Sequence, residues 1–245
     1  METTPASPFP ARNTAGLIGA TLDLFVRHFA AFAWTCIAPS LAISIVNIAI
    51  GEQPSAVSVL LAIPMIIAEL LIWSATTLVS IGVVLGHVPD VATAYRCARR
   101  SPLFVLFVSM MLVSLLVLGG TLLLIVPGLI ALVMTLLVPV IVVVERRTVW
   151  ESLRRSRALG SGFYIRNLFV VIALVVPAII GAGLIPSLEE PNPAVVVALA
   201  LLSTILQALS MLATVLVYID MRARKEQLDP ATFAHEINAA YGDNP

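Results

Sequence analysis

Long stretches without a charged residue alternate with short basic segments along the chain. A helix that crosses a bilayer needs about 20 mostly apolar residues, so each such stretch is a candidate span. Residues 101–144 carry no charge, and as one helix they would extend about 66 Å, twice the thickness of the hydrocarbon core. They must therefore reverse, and Gly119-Gly120 is the favoured turn, with Pro127-Gly128 as the alternative. The pattern predicts six spans, at about 30–50, 57–86, 102–120, 123–144, 167–188 and 194–219.

The basic residues are segregated with respect to these spans. All 14 of them lie before span one, between spans two and three, between spans four and five, or after span six. The only charged residues in the loops on the opposite side are Glu52, Glu189 and Glu190. Because Lys and Arg concentrate in cytoplasmic loops, both termini are predicted to be cytoplasmic.

The basic segments themselves predict short amphipathic helices at the membrane surface. Thr148 and Glu151 match a capping box, Asp90 can cap a second helix, and Asp23 and Arg27 have the spacing of an ion pair in a third. A unit of one such helix and two spans recurs at about 14–86, 90–144 and 148–219. The predicted fold class is therefore an all-α integral membrane protein with six transmembrane helices in three hairpins, each preceded by a basic amphipathic interfacial helix.

The two ends of the chain differ from the membrane domain, which is predicted to span residues 14–220. Residues 1–13 contain three prolines and no basic cluster before an apolar stretch, so we expect a flexible leader rather than a signal peptide. Residues 221–245 are predicted to form a cytoplasmic tail. Within it, Asp229 and Pro230 begin a short helix whose apolar face carries Phe233, Ile237 and Tyr241.

The composition excludes several classes of protein. Hydrophobic residues make up 60% of the chain and charged residues only 11%, with a mean hydropathy of +1.03. A soluble domain carries about 25% charged residues, so a soluble enzyme, a nucleic-acid-binding protein and a disordered chain are all excluded. No phosphate-binding loop, metal-ligand spacing or nucleophile motif occurs. We therefore expect no catalytic residue, no metal and no cofactor, and we do not expect an enzyme.

Glu69 is the acidic residue that lies deep in a predicted span. An ionised carboxylate at that depth costs several kcal/mol, so we expect it to be protonated or paired. Thr76 and Ser80 continue its helix face, and span six offers Gln207 and Ser210 in a polar stripe. Two interpretations stay open. The group is either a proton or cation site on a solute path, or a neutral acid that hydrogen bonds to Gln207 or a hydroxyl between helices; the second is favoured.

Three further sets of residues are candidates for structural or surface roles. Asp220 is predicted to join the tail to the linker between spans four and five by pairing with Arg222, Arg154 or Arg155. Gly82 and Gly86 form a small-xxx-small motif that favours close helix packing. The interfacial arginines either only fix the topology, which is favoured, or also attract anionic lipid headgroups at about 1 kcal/mol each. These arginines are Arg27, Arg96, Arg99, Arg100, Arg154, Arg155 and Arg157.

Two stretches carry a family resemblance. Residues 139–166 read PVIVVVERRTVWESLRRSRALGSGFYIR and residues 218–229 read YIDMRARKEQLD. Both resemble the bacterial membrane domain that is fused to some glycerophosphoryl diester phosphodiesterases, and its stand-alone relatives. The resemblance implies paired spans with basic linkers in the bacterial inner membrane. The hydrolase activity belongs to a separate soluble domain with a metal site. His28, His87 and His235 form no such cluster here, so that activity is not implied for this chain.

These observations lead to two hypotheses about function. The first is a non-enzymatic inner-membrane protein that organises lipid or partner proteins through its basic cytoplasmic face. Its partners would be anionic headgroups, another protein or a second copy of the chain, with no nucleic acid. The second is a small proton- or cation-linked transporter or channel with Glu69 in its path. A water-accessible cavity that reaches Glu69 from either side favours the second hypothesis, and a dry, packed Glu69 favours the first.

Overall fold

The computed structural model describes residues 9, 13–50, 56–170, 172, 173, 176, 177, 180 and 192–242. These residues are mostly helical and contain no strand, which confirms the predicted all-α class. Five helical segments in them are long and apolar enough to cross a membrane: Phe29–Ile48, Val59–Leu85, Leu103–Leu123, Val126–Glu145 and Ala194–Glu226. The chain is therefore a multi-pass membrane protein. The predicted span at 167–188 lies largely outside the described residues.

The helices follow one another with short connections. In chain order they are α1 (Thr14–Arg27), α2 (Phe29–Phe32), a π-helical turn (Ala33–Ile37), α3 (Ala38–Ile50), α4 (Ala56–Leu85), α5 (Val91–Ala98), α6 (Leu103–Leu123), α7 (Ile125–Thr135), α8 (Val138–Glu145), α9 (Val149–Gly160), α10 (Tyr164–Val170), α11 (Pro193–Glu226) and α12 (Pro230–Tyr241).

The π-helical turn in the first span has a local cause. Pro39 has no N–H group to donate to the carbonyl of Thr35, four residues earlier. The hydroxyl of Tyr95 on α5 donates to that carbonyl instead, at 2.8 Å. Burial raises the pKa of Tyr95 to about 12, so the hydroxyl keeps its proton at physiological pH. The proline therefore both distorts the first span and fixes α5 against it.

The reversal between α6 and α7 lies at Leu124, which adopts an extended conformation with φ −165° and ψ 152°. The predicted turn at Gly119-Gly120 is wrong by about four residues, because α6 continues through both glycines. Gly120 serves close packing instead: a Cβ atom there would lie 2.9 Å from the Cα of Gly128 on α7. Both predicted glycine positions thus flank the reversal without forming it.

A second break separates α7 from α8. Pro139 cannot donate to the carbonyl of Thr135, and α7 ends at that residue. The helix direction resumes at Val138, so the fourth span is an interrupted helix rather than a continuous one.

The predicted helix starts in the polar segments are confirmed. Asp90 accepts a hydrogen bond from the backbone N–H of Thr93, and Thr148 and Glu151 form both halves of a capping box. Asp229 caps α12 through the N–H groups of Ala231 and Thr232. Hydrogen bonds from Thr148 lower the pKa of Glu151, since they stabilise its ionised form.

Helix α12 is docked on the bundle through Phe233, Ile237 and Tyr241, which are all buried. Arg100 donates to the carbonyl of Tyr241 at 2.8 Å and Arg146 donates to that of Ala240 at 2.9 Å. Cations at a helix C-terminus satisfy its last carbonyl groups and oppose its dipole. The end of the bundle that carries these arginines, with α9 and α12, is called the basic end below.

Candidate functional site

Glu69 lies in α4, 13 residues after Ala56, or about 20 Å from the start of the helix. Its side chain is half-buried. Within the described part of the chain its carboxylate has no hydrogen bond and no ion pair. The structure therefore places an acid near the middle of the bundle that no described residue neutralises.

Glu69 lines a partly open cavity of about 500 Å³. Its walls come from α3, α4, α6, α7, α8 and α11. The apolar part of the wall includes Trp73, Met110, Leu136 and Met211. The polar part consists of Ser40, Ser44, Glu69, Ser114, Thr135, Ser203, Thr204, Gln207, Ser210 and Thr214. The break between α7 and α8 lies at this wall, since Thr135 and Pro139 both line it.

A second cavity of about 430 Å³ shares Glu69, Trp73 and Met110 with the first as lining residues. It is also lined by Asn47 and Ile50 near the end of α3. These two residues lie toward the end of the bundle opposite the basic end, because α3 forms the second half of the first span, which leads away from α1. Glu69 thus lines both cavities, one central and one toward the opposite end.

Most hydroxyl groups of the central cavity donate to carbonyls of their own helices. The donor–acceptor distances are 2.7–2.9 Å. Each of these oxygen atoms keeps lone pairs that can accept a further hydrogen bond. The six groups are those of Ser44, Thr135, Ser203, Thr204, Ser210 and Thr214.

The predicted intramembrane polar residues fall into two groups. Gln207 and Ser210 line the central cavity together with Glu69, so the two predicted stripes do meet. Thr76 and Ser80 are fully buried outside that lining, and their hydroxyls donate to the carbonyls of Ile72 and Thr76. No described hydrogen bond joins Glu69 to Gln207 or to a hydroxyl, contrary to the favoured structural interpretation.

Ser40 and Ser44 are members of the site that the sequence did not single out. They follow the π-helical turn, and both reach the central cavity. Prolines at 39 and 139 were the available signal, because a helix interrupted by proline exposes backbone that a membrane protein can use at a site. Their positions alone did not indicate which residues would face Glu69.

The basic end is held by a network of ion pairs around Glu145. Its carboxylate accepts hydrogen bonds from Arg155 and from the hydroxyl of Tyr218, each at 3.0 Å. Arg155 also pairs with Glu226, and Arg222 binds both Glu226 and Glu236. These contacts connect α8, α9, α11 and α12.

Asp220 anchors a second group of ion pairs, but with partners other than those predicted. Its carboxylate binds Arg166 at 2.5 Å and Arg224 at 2.9 Å. The predicted partner Arg222 binds Glu226 and Glu236, and Arg155 binds Glu145 and Glu226. The helical position of Arg222 directs it to α12, whereas α10 brings Arg166 to Asp220. The carboxylate still joins α11 to the segment after α9.

The predicted interfacial arginines also divide into groups. Arg27 pairs with Asp23 on the surface of α1, whereas Arg100 and Arg155 are used in the contacts described above. The other four are exposed and form no ion pair with a described residue: Arg96, Arg99, Arg154 and Arg157.

Gly82 and Gly86 lie where α4 ends rather than in the middle of a helix contact. A Cβ atom at Gly82 would lie 2.3 Å from the carbonyl oxygen of His87 and 2.6 Å from Pro89. Gly86 has a φ of +77°, a conformation that favours glycine. The N–H of His87 donates to the carbonyl of Gly82 at 2.8 Å, which closes this helix terminus.

Among the described residues, no three His, Cys, Asp or Glu side chains come together as a metal site would require. Comparison of the chain with protein-family models, with curated proteins and with solved structures gave no match. The resemblance to the phosphodiesterase-associated membrane domain therefore stays an expectation.

Replacement of Asp220 by Asn should destabilise the protein. The change keeps the shape of the side chain but removes the charge that faces Arg166 and Arg224, and Asp220 is only 3% exposed. Loss of one partner in a buried ion pair costs about 3 kcal/mol, so thermal unfolding in detergent should begin at a clearly lower temperature.

Asp23→Asn is the matched control, because the Asp23–Arg27 pair is exposed and should contribute less than about 1 kcal/mol. Equal unfolding temperatures for Asp220→Asn and Asp23→Asn would contradict the structural role of Asp220.

Proposed function

We propose that this chain is a small membrane transporter or channel whose solute path passes Glu69 and whose cycle is linked to protons or cations. The observation that carries the proposal is a carboxylate that has no partner among the described residues and that lines two neighbouring cavities in the bundle. A packed Glu69 bonded to a neighbouring helix would have favoured a purely structural role.

The physical argument concerns the charge of that carboxylate. An ionised acid without a counter-charge is costly within a membrane, so Glu69 must hold a proton, face water or bind a cation. A site that exchanges a proton for another ligand couples the movement of the proton to that of the ligand. The reason is that the protonated acid and the ligand-bound carboxylate are alternative states of the same site.

The interrupted helices support the same proposal. Irregular backbone at membrane depth is tolerated where it is buried in protein or lines a cavity, and binding sites of transporters are commonly built from broken helices. Here the break between α7 and α8 and the residues that follow the π-helical turn both contribute to the cavity wall.

We further propose the finer architecture that the sequence pattern predicts. It comprises six spans in three hairpins in a bacterial inner membrane, with both termini in the cytoplasm. Support comes from the 14 basic residues, which the six-span pattern assigns to one side. In this orientation the basic end faces the cytoplasm and the second cavity leads from Glu69 toward the periplasm. The proposed role is not enzymatic.

A second candidate function is lipid organisation at the basic end, and a specific observation favours it. Arg154 and Arg157 are exposed on one face of α9 together with Trp150, which is 68% exposed. An exposed tryptophan beside basic residues is typical of a helix at the headgroup layer. Anionic headgroups, rather than another protein or a second copy of the chain, are the partners that these residues would attract most directly.

Glu69→Gln should abolish proton-linked transport. In proteoliposomes that contain a pH-sensitive dye, the wild type should move protons when a low-molecular-mass cell extract is added, because solute binding displaces a proton from Glu69. The Gln variant cannot exchange that proton and should give no signal. Ser80→Ala, a change on the same helix outside the cavity, should behave like the wild type. Proton movement by Glu69→Gln at the wild-type rate would contradict the proposal, and no proton movement by the wild type would exclude its proton-linked form.

For the second candidate, mass spectrometry of the purified protein should detect bound anionic lipid. Replacement of both Arg154 and Arg157 by Gln should weaken its retention by about 30-fold, since two arginines contribute about 1 kcal/mol each. Arg27→Gln should have a smaller effect, because Arg27 is already paired with Asp23. Unchanged retention in the double variant would exclude this role for α9.

A further inference from the structure

We propose that the central cavity binds a protonated organic amine, with its N–H groups directed at Glu69 and at the hydroxyl oxygens of the wall. This inference rests on the proposed function in taking the cavity as a ligand site, and it adds the chemical class of the ligand. Four features of the cavity support it, and each concerns a different property of the ligand.

The charge of the ligand follows from the wall. Among the described residues that line the two cavities, Glu69 is the only ionisable one. Its charge meets no basic side chain there, so the complementary ligand carries one positive charge. An anion would face an unscreened carboxylate and would be excluded.

The hydrogen-bonding pattern indicates that the ligand carries donors. The hydrogens of six wall hydroxyls are already used within their own helices, so what remains toward a ligand is mainly acceptor oxygen. The exceptions that can donate are the amide of Gln207, the indole N–H of Trp73 and the hydroxyls of Ser40 and Ser114. A primary or secondary ammonium group supplies N–H donors that match this surface.

Ser40 is an independent sign of a missing partner. Its side chain is buried and lines the central cavity, and the only partner found for its hydroxyl among the described residues is the thiol of Cys36, a weak hydrogen-bonding group. Buried polar groups in native proteins are generally paired, and an exception calls for an explanation. A ligand that donates to this oxygen would satisfy it.

The size and the apolar wall favour an organic cation over a metal ion. Sites for small organic ligands usually enclose about 300–1,000 Å³, and the central cavity has about 500 Å³. A bare sodium ion needs several oxygen ligands at short distance and would leave most of this volume unused. Trp73, Met110 and Met211 offer apolar contacts, and the indole ring attracts cations through its π face.

The test is a binding titration on the full chain in detergent. With Trp34→Phe and Trp150→Phe, Trp73 remains as the fluorescent reporter in the cavity wall. Benzylammonium should change its fluorescence saturably, whereas benzyl alcohol, a neutral molecule of similar shape, should bind about tenfold more weakly or not at all. Benzyltrimethylammonium, which has the charge but no N–H donor, should fall between them.

Variants separate the site from a general effect. Glu69→Gln should weaken benzylammonium binding by about tenfold or more. Glu69→Asp keeps the negative charge and should retain benzylammonium binding, so it tests the site even if the Gln variant does not fold. Ser80→Ala should leave benzylammonium binding unchanged. Equal binding of benzyl alcohol and benzylammonium, or undiminished binding by Glu69→Gln, would overturn the inference. So would sodium chloride alone producing the same fluorescence change, because the site would then belong to an inorganic cation.

Failure of this inference can be distinguished from failure of the proposed function, because the titration requires no transport. Ammonium binding without any flux in proteoliposomes would reject the transporter and keep the ligand class. Proton-linked flux without preference for benzylammonium would keep the transporter and reject the ligand class.

Discussion

A carboxylate within a membrane bundle is stable only if it holds a proton, meets a positive charge or reaches water. Glu69 meets no positive charge on the described part of the chain, although it lies near the middle of α4. The polar wall of the central cavity is understandable in this light, because serine and threonine side chains from several helices give a carboxylate, its proton or its ligand a polar surrounding. The proposed path and the proposed ligand both depend on this acid, which no described residue neutralises.

The basic end shows the opposite arrangement of charge. Glu145, Asp220, Glu226 and Glu236 each bind at least one arginine there, and α12 covers the same end with buried aromatic and aliphatic side chains. Ion pairs of this kind hold helices in one register, and the charges within them are not available for a ligand. The molecule therefore combines an end held by ion pairs with a central cavity and a second, neighbouring cavity toward the opposite end.

Local features of this structure followed directly from the sequence. The caps at Asp90, Thr148 and Asp229 were predictable because a capping side chain acts on backbone within three residues. The meeting of Glu69 with Gln207 and Ser210 was predictable from helical spacing and from the avoidance of lipid by polar groups.

Features that depend on tertiary contacts were not predictable in the same way. The partner of Asp220 depends on where α10 places Arg166, and the role of Tyr95 depends on a carbonyl 60 residues away that Pro39 leaves free. The reversal at Leu124 depends on how closely Gly120 and Gly128 approach. Thr76 and Ser80 share the helix with Glu69 but bond to their own backbone, which spacing alone does not reveal.

The most direct test is the accessibility of the cavity to water, measured by cysteine labelling in a background without Cys36 and Cys97. A membrane-impermeant methanethiosulfonate reagent, added outside intact spheroplasts, should modify Ser210→Cys in the cavity wall and should not modify Ser80→Cys, which is buried outside it. Modification of neither cysteine from either side would mean that Glu69 lies in a dry, packed bundle, and the account would be wrong.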